Sequence, residues 1–114
     1  MIVKKYEEVE KSQVAIDGAK GVSVRWLIGE DSGAPNFYLR LFEVEPGGHT
    51  PSHTHDWEHE VFVVEGKGKL NSGEGSLDLE KGMFALVLPG EEHRFENTGD
   101  AVLKFLCAIP KEEK

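Results

Sequence analysis

A chain of 114 residues has room for one domain with a modest core and none for a second. Its 21 acidic against 13 basic side chains give a formal net charge of -8, and no basic stretch follows a phosphate backbone or an anionic bilayer, which excludes nucleic-acid and membrane partners from the expectation. The N-terminus, Met1-Ile2-Val3-Lys4-Lys5, lacks an apolar signal core, and the single cysteine, Cys107, leaves no internal disulfide and fits a reducing compartment, so a cytoplasmic location is expected.

In chain order, the first residues read as loosely held. Apolar and polar residues then alternate over Val22-Ser23-Val24-Arg25-Trp26-Leu27-Ile28, a half-buried strand, and turn residues follow from Gly29 to Pro35. Phe37 to Val44 reads as a second strand, ended by a turn at Pro46-Gly47-Gly48. Further strands are expected at Val61 to Glu65, Gly68 to Asn71, Ser76 to Leu79, Phe84 to Leu88, Arg94 to Asn97 and Ala101 to Ile109. Gly66-Lys67-Gly68 is a bend, and turns lie at 71–75, 80–82, 89–92 and 97–100. The tail Lys111-Glu112-Glu113-Lys114 reads as loose. No segment carries a helical stripe, and there is no internal repeat. Short strands at intervals of roughly 8 to 12 residues, joined by Gly-rich turns, make the chain all-β, a sandwich or a barrel.

Four histidines carry the chemistry. His53, His55 and His59 lie between Gly47 and the apolar run Val61-Phe62-Val63-Val64, and His93 lies far along the chain. Residues two apart on a strand share a face, which points His53 and His55 the same way. Neutral imidazole is the commonest side-chain metal donor, and the inner faces of neighbouring barrel strands can bring several together. If Val61 and Val63 point inward, so does His59, whereas Glu60 faces out; parity favours His59 as third ligand and leaves Glu60 as the alternative. Four neutral ligands leave the full +2 charge of an ion uncompensated, so the site attracts anions and polarises an oxygen ligand. An octahedral ion would keep two positions open, and a closed structural zinc would want cysteines the chain lacks. Imidazoles accept manganese, iron, zinc, nickel and copper alike. His49, the fifth histidine, reads as a turn or rim residue.

These segments resemble the two motifs of the cupins. The first motif runs Gly, five residues, His-x-His, three or four residues, Glu, six residues, Gly; Gly47, His53, His55 and Gly66 are in register, with His59 where the motif has Glu. A four-residue gap would move the ligand to Glu60 and leave the spacing to Gly66 one short. The second motif ends in Pro-x-Gly, two residues, His, three residues, Asn; Gly82, Gly90, His93 and Asn97 are in register, and Pro89 comes one position late. The resemblance implies a cupin jelly-roll barrel, or double-stranded β-helix, over residues 1–114, with the metal motifs within 47–97. It implies His53, His55, His59 and His93 as ligands, adjacent open positions on the ion, and manganese as that ion with iron second. The all-histidine set and the Phe-Leu-Cys-Ala-Ile-Pro ending look like the small single-domain manganese cupins of thermophilic prokaryotes. A homodimer is also implied, with Ile2 to Tyr6 and Val14-Ala15-Ile16 as the edges to be exchanged.

Cys107 shares a face with Leu103, Phe105 and Ile109, either as a buried apolar residue or beside the metal. Trp57 packs against a neighbouring strand or subunit, or walls the substrate; Phe95 points inward with His93, and Arg94 points away. No Gly-x-Ser-x-Gly elbow, phosphate-binding Gly-rich loop or dinucleotide fingerprint competes. The expected function is a manganese- or iron-dependent oxidoreductase of dioxygenase type acting on a small chelating substrate. A non-catalytic module that binds or senses a small anion or metal is the alternative, and a metal-dependent isomerase or lyase on a sugar or keto acid ranks third.

Overall fold

The computed structural model describes residues 1–111, so the tail expected at 111–114 lies, from residue 112 on, outside the described residues. The strand at its centre shows how the chain folds. Leu103–Pro110 buries every second residue, Leu103, Phe105, Cys107 and Ile109, and turns the residues between them to the other face. In chain order the strands are β1 Ser12–Gln13, β2 Lys20–Ile28, β3 Phe37–His49, β4 His59–Glu65, β5 Lys67–Ser72, β6 Gly75–Glu80, β7 Phe84–Val87, β8 His93–Glu96 and β9 Leu103–Pro110. All pair antiparallel in the order β6-β5-β8-β3-β9-β4-β7, and β2 adds to β3 with β1 beside it. The sheet curls into the expected jelly-roll half-barrel, with Phe42, Phe95 and Phe105 stacked inside it. Tyr6–Glu8 and Glu30–Ser32 are single helical turns, and among the described residues no helix is long and apolar enough to cross a membrane.

The strands expected at Val22 to Ile28, at Phe37 to Val44 and from Val61 to Ile109 are all present, but two local expectations fail. Pro46-Gly47-Gly48 does not end β3, which runs on to His49 through a bulge: Lys20 pairs with His49 and Val22 with Val44. Gly47 takes φ +80°, and a Cβ on Gly48 would stand 2.5 Å from the Lys20 carbonyl oxygen, so glycine permits an excursion where a reversal was expected. Secondly, the segment holding His53 and His55 is not a strand; between β3 and β4 only a lone bridge joins His53 to His93. Exposure still alternates along residues 51–59, so the two histidines share a face without a ladder to hold them there.

Asn97, expected as the last residue of the second motif, is 2% exposed and ties the end of β8 to its surroundings. Its Nδ2 donates to the carbonyls of Val44 at 2.7 Å and Ala101 at 2.8 Å, and its Oδ1 accepts from the Gly99 amide at 2.8 Å. Truncation orphans three backbone groups in or beside the core. Asn97→Ala should lose about 2 to 4 kcal/mol of unfolding free energy in urea, and a loss below about 1 kcal/mol would show that the turn is held by something else.

Candidate metal centre

Two of the four histidines open strands. His59 begins β4, where His59, Val61 and Val63 are buried and Glu60 and Phe62 are exposed, and His93 begins β8 and is 6% exposed. The other two lie on the loop between β3 and β4, which main-chain bonds bind to β8. His53 and His93 exchange both N–H···O bonds, at 3.0 and 2.9 Å, the Thr50 amide donates to the Phe95 carbonyl, and Thr50 Oγ1 accepts from the Phe95 amide, both at 2.9 Å. One pairing therefore delivers His53, His55 and His93 to the same place.

There the rings crowd together. His59 and His93 have centroids 4.9 Å apart, and His55 lies 5.2 Å from His59 and 5.3 Å from His93. One nitrogen from each of these three can be chosen so that all lie within 4.8 Å of one another, close enough for a single ion. His53 stands at the edge of the cluster, 5.0 Å from the His55 ring and 6.4 Å from that of His93. Glu60 is on the outer face, opposite Leu86 and Ala108. His49 closes β3 opposite Lys20 and Glu96, outside the cavity wall.

The ring nitrogens are suited to a cation. His93 Nδ1 lies 3.0 Å from the Glu91 carbonyl, which can only accept, so the proton sits on Nδ1 and leaves the Nε2 lone pair unengaged by it. His59 Nδ1 meets the Cys107 sulfur at 3.1 Å, while its Nε2 is buried with no protein partner. A buried imidazole nitrogen without a partner is costly, and a divalent ion would satisfy it. Burial first, and then the charges of His93, Arg40, His55 and His53, push His59 down to about 3. His53 and His55 are also lowered, chiefly by burial. At neutral pH these rings are neutral donors, the form that binds metal.

The cluster faces a cavity of about 250 Å³, walled by Val22 and Val24 of β2, Phe42 of β3, Phe95 of β8 and Phe105 of β9. Cys107, 2% exposed, lines it and touches His59. Trp57 stacks on the His55 ring at 4.4 Å and 10° and forms part of the wall. Phe95 lines the cavity and stacks on Phe105 at 4.4 Å, whereas Arg94 lies outside the lining. Val14 and Ile16, expected at a dimer edge, line this same cavity within their own chain. Sequence reasoning missed Arg40 and Trp26, which also line it. The one available signal was a charged residue inside the apolar run Phe37-Tyr38-Leu39-Arg40-Leu41-Phe42.

Residues 40–109 match the family model described as the cupin domain. The chain is 28% identical over 114 aligned residues to an oxalate-binding protein of Thermotoga maritima, covering 96% of this chain and 93% of that one. It is 33% identical over 75 residues to 1-methylthio-D-xylulose 5-phosphate methylsulfurylase of Rhodospirillum rubrum, 65% of this chain and 47% of the other, so it spans about half that relative's length. Among solved structures, the polyketide cyclase RemF from Streptomyces resistomycificus superposes with a TM-score of 0.91 at 34% identity, over 96% of this chain and 79% of that one.

The depressed His59 sets a sign for acid stability. Its folded value, about 3, lies below the ordinary 6.5, so between the two the unfolded chain binds more protons. The contribution of His59 to the stability of metal-free protein is then fully present above pH 6.5 and is lost as pH drops toward 3. Thermal melts from pH 7.5 to 4.5 should show a declining Tm, with a shallower decline in His59→Gln. Equal slopes in the two proteins would contradict the assignment.

Proposed function

The chain belongs to the cupin domain family, and from that premise we propose that His53, His55, His59 and His93 hold one divalent ion, manganese first and iron second. We infer an oxidoreductase of dioxygenase type acting on a small chelating anion. The observation that carries this reading is the convergence of His55, His59 and His93 on one point, with the unpartnered Nε2 of His59 beside a cavity of about 250 Å³. When bound, the ion supplies Lewis-acid polarisation and, if redox-active, one-electron chemistry.

The residues do the rest. No Asp or Glu lines the cavity, so an anionic ligand meets no opposing charge and the ion's charge stays uncompensated. Glu91 fixes the His93 tautomer through its carbonyl, and the Trp57 stack limits how far the His55 ring can turn. Apolar walls keep the medium around the ligand poor in water, which strengthens each polar contact made there. An isomerase or lyase would want a carboxylate or histidine base among the open positions. Glu58, Glu60 and His49 all lie outside the lining, which places that reading third.

A second reading is favoured by a specific observation. The oxalate-binding relative aligns over nearly its whole length, and this chain as a binding or sensing module for a small anion would use the same cavity. Homodimerisation also belongs to the proposal: Phe62, Phe84 and Leu86 stand exposed on an outer groove along edge strand β7, an apolar surface that a second copy would cover.

Elemental analysis of protein purified without added metal or an affinity tag should return near-stoichiometric manganese or iron, lost in His59→Ala and kept in Glu60→Ala. Occupancy indifferent to His59 would remove the metal site. Metal-loaded protein that neither consumes oxygen nor turns over any chelating enol, diol or aromatic substrate would leave the binding module. Size-exclusion chromatography should give a dimer, and a monomer would remove that part of the proposal.

A further inference from the structure

Arg40 is placed where a charge is costly. Along β3, Leu39 lines the outer groove while Arg40 and Phe42 line the cavity, so the guanidinium belongs to the barrel's inner face. It lies over the Trp26 ring at 5.3 Å and the Phe42 ring at 4.9 Å, contacts that hold it in place without neutralising it. The ion pairs among the described residues use Lys11, Arg25 and Lys69, and none reaches Arg40. Its Nε is buried with no protein partner, and Nη2 donates to the Cys107 sulfur, a weak acceptor, at 3.3 Å. The same sulfur is 3.1 Å from His59 Nδ1, so guanidinium and histidine cluster flank one atom. A planar, permanently charged donor fork that no carboxylate of the described residues engages is the usual partner of a ligand carboxylate.

We propose that Arg40 is the anion subsite of this cavity, and that the ligand is a small monocarboxylic acid with an apolar body and an oxygen on the carbon next to the carboxylate. The carboxylate sits on Arg40. The body lies against Phe42, Phe95, Phe105 and Val24, and the neighbouring oxygen is left for the histidine cluster. A 2-hydroxy or 2-oxo acid bearing an aryl or branched alkyl group has this chemistry and fits about 250 Å³. The inference rests on reading the cavity as the ligand site, and it narrows the chelating anion to one class.

The test uses metal-free protein, so that no ion contributes to an anion preference. Both tryptophans of the chain, Trp26 and Trp57, line the cavity, and their fluorescence reports occupancy. Mandelate should bind at least about tenfold more tightly than its neutral isostere mandelamide, as a charge-assisted pair implies. Oxalate, an anion without an apolar body, should bind more weakly than mandelate. Arg40→Gln should abolish the preference while mandelamide affinity stays within about twofold, and Arg40→Lys should retain part of it. Equal affinities for mandelate and mandelamide in the wild-type protein overturn the proposal without recourse to any variant. So does a preference that survives Arg40→Gln, and tighter oxalate binding overturns the apolar body. An Arg40-dependent preference in protein that carries no metal as purified would keep this inference and remove the oxidoreductase reading.

Discussion

Several basic groups share one apolar cavity with no carboxylate on its wall, and most of what surrounds the site follows from that. A protonated imidazole there would lose its hydration and face its neighbouring histidines, and for His55 and His59 also Arg40, so His53, His55 and His59 are all lowered. Neutral rings present lone pairs, and lone pairs from several directions make a cation site. The same lack of negative charge means that an ion held there keeps its charge for whatever enters next. The proposed metal affinity and anion affinity would thus have one electrostatic origin.

The fold brings the rings together from two kinds of backbone. His59 and His93 begin strands that lie inside the sheet, each paired on both sides, and both are buried. His53 and His55 belong to a loop held at the cluster by the bonds of Thr50 and His53 to β8, by the Gly90 amide donating to the His55 carbonyl, and by the stack of Trp57 on His55. A bound ion would therefore join the loop to β4 and β8, adding its affinity to the free energy of docking that segment. Val14 and Ile16 add a wall from a part of the chain remote in sequence, just after β1, where the Val14 amide bonds to the Val22 carbonyl.

Much of this was legible in the sequence, for identifiable reasons. Strand period and turn chemistry gave β2 and the strands from β4 to β9, and the parity of Val61 and Val63 placed His59 inside and Glu60 outside. The Pro46-Gly47-Gly48 segment misled because glycines that permit a turn also permit a bulge, and only the register with β2 decides between them. His53 and His55 were expected on a strand because alternation is visible in sequence, whereas the hydrogen-bonded neighbour that defines a strand is not. Arg40 was missed because both faces of β3 are apolar, so its orientation has no period to reveal it. Trp26, Arg40 and Cys107 meet through the pairing of β2 with β3 and β3 with β9, across sequence separations that no local pattern spans.

The buried polar atoms without protein partners bear on whether this cavity is core or site. Folded interiors leave few such atoms, since each costs roughly 1 to 3 kcal/mol. Of the five side-chain atoms of this kind among the described residues, Arg40 Nε, Trp57 Nε1 and His59 Nε2 belong to residues lining one cavity of about 250 Å³. A core selected for stability alone would replace them with hydrocarbon, as buried charge and polarity rarely outperform good apolar packing. Their concentration in one place is instead what a pre-organised receptor looks like. Donors and lone pairs are held in fixed positions by ring stacking and strand register. A ligand that meets them gains contacts with groups already in place, which makes the cavity, rather than the half-buried His49 outside it, the place where the chemistry of this chain is concentrated.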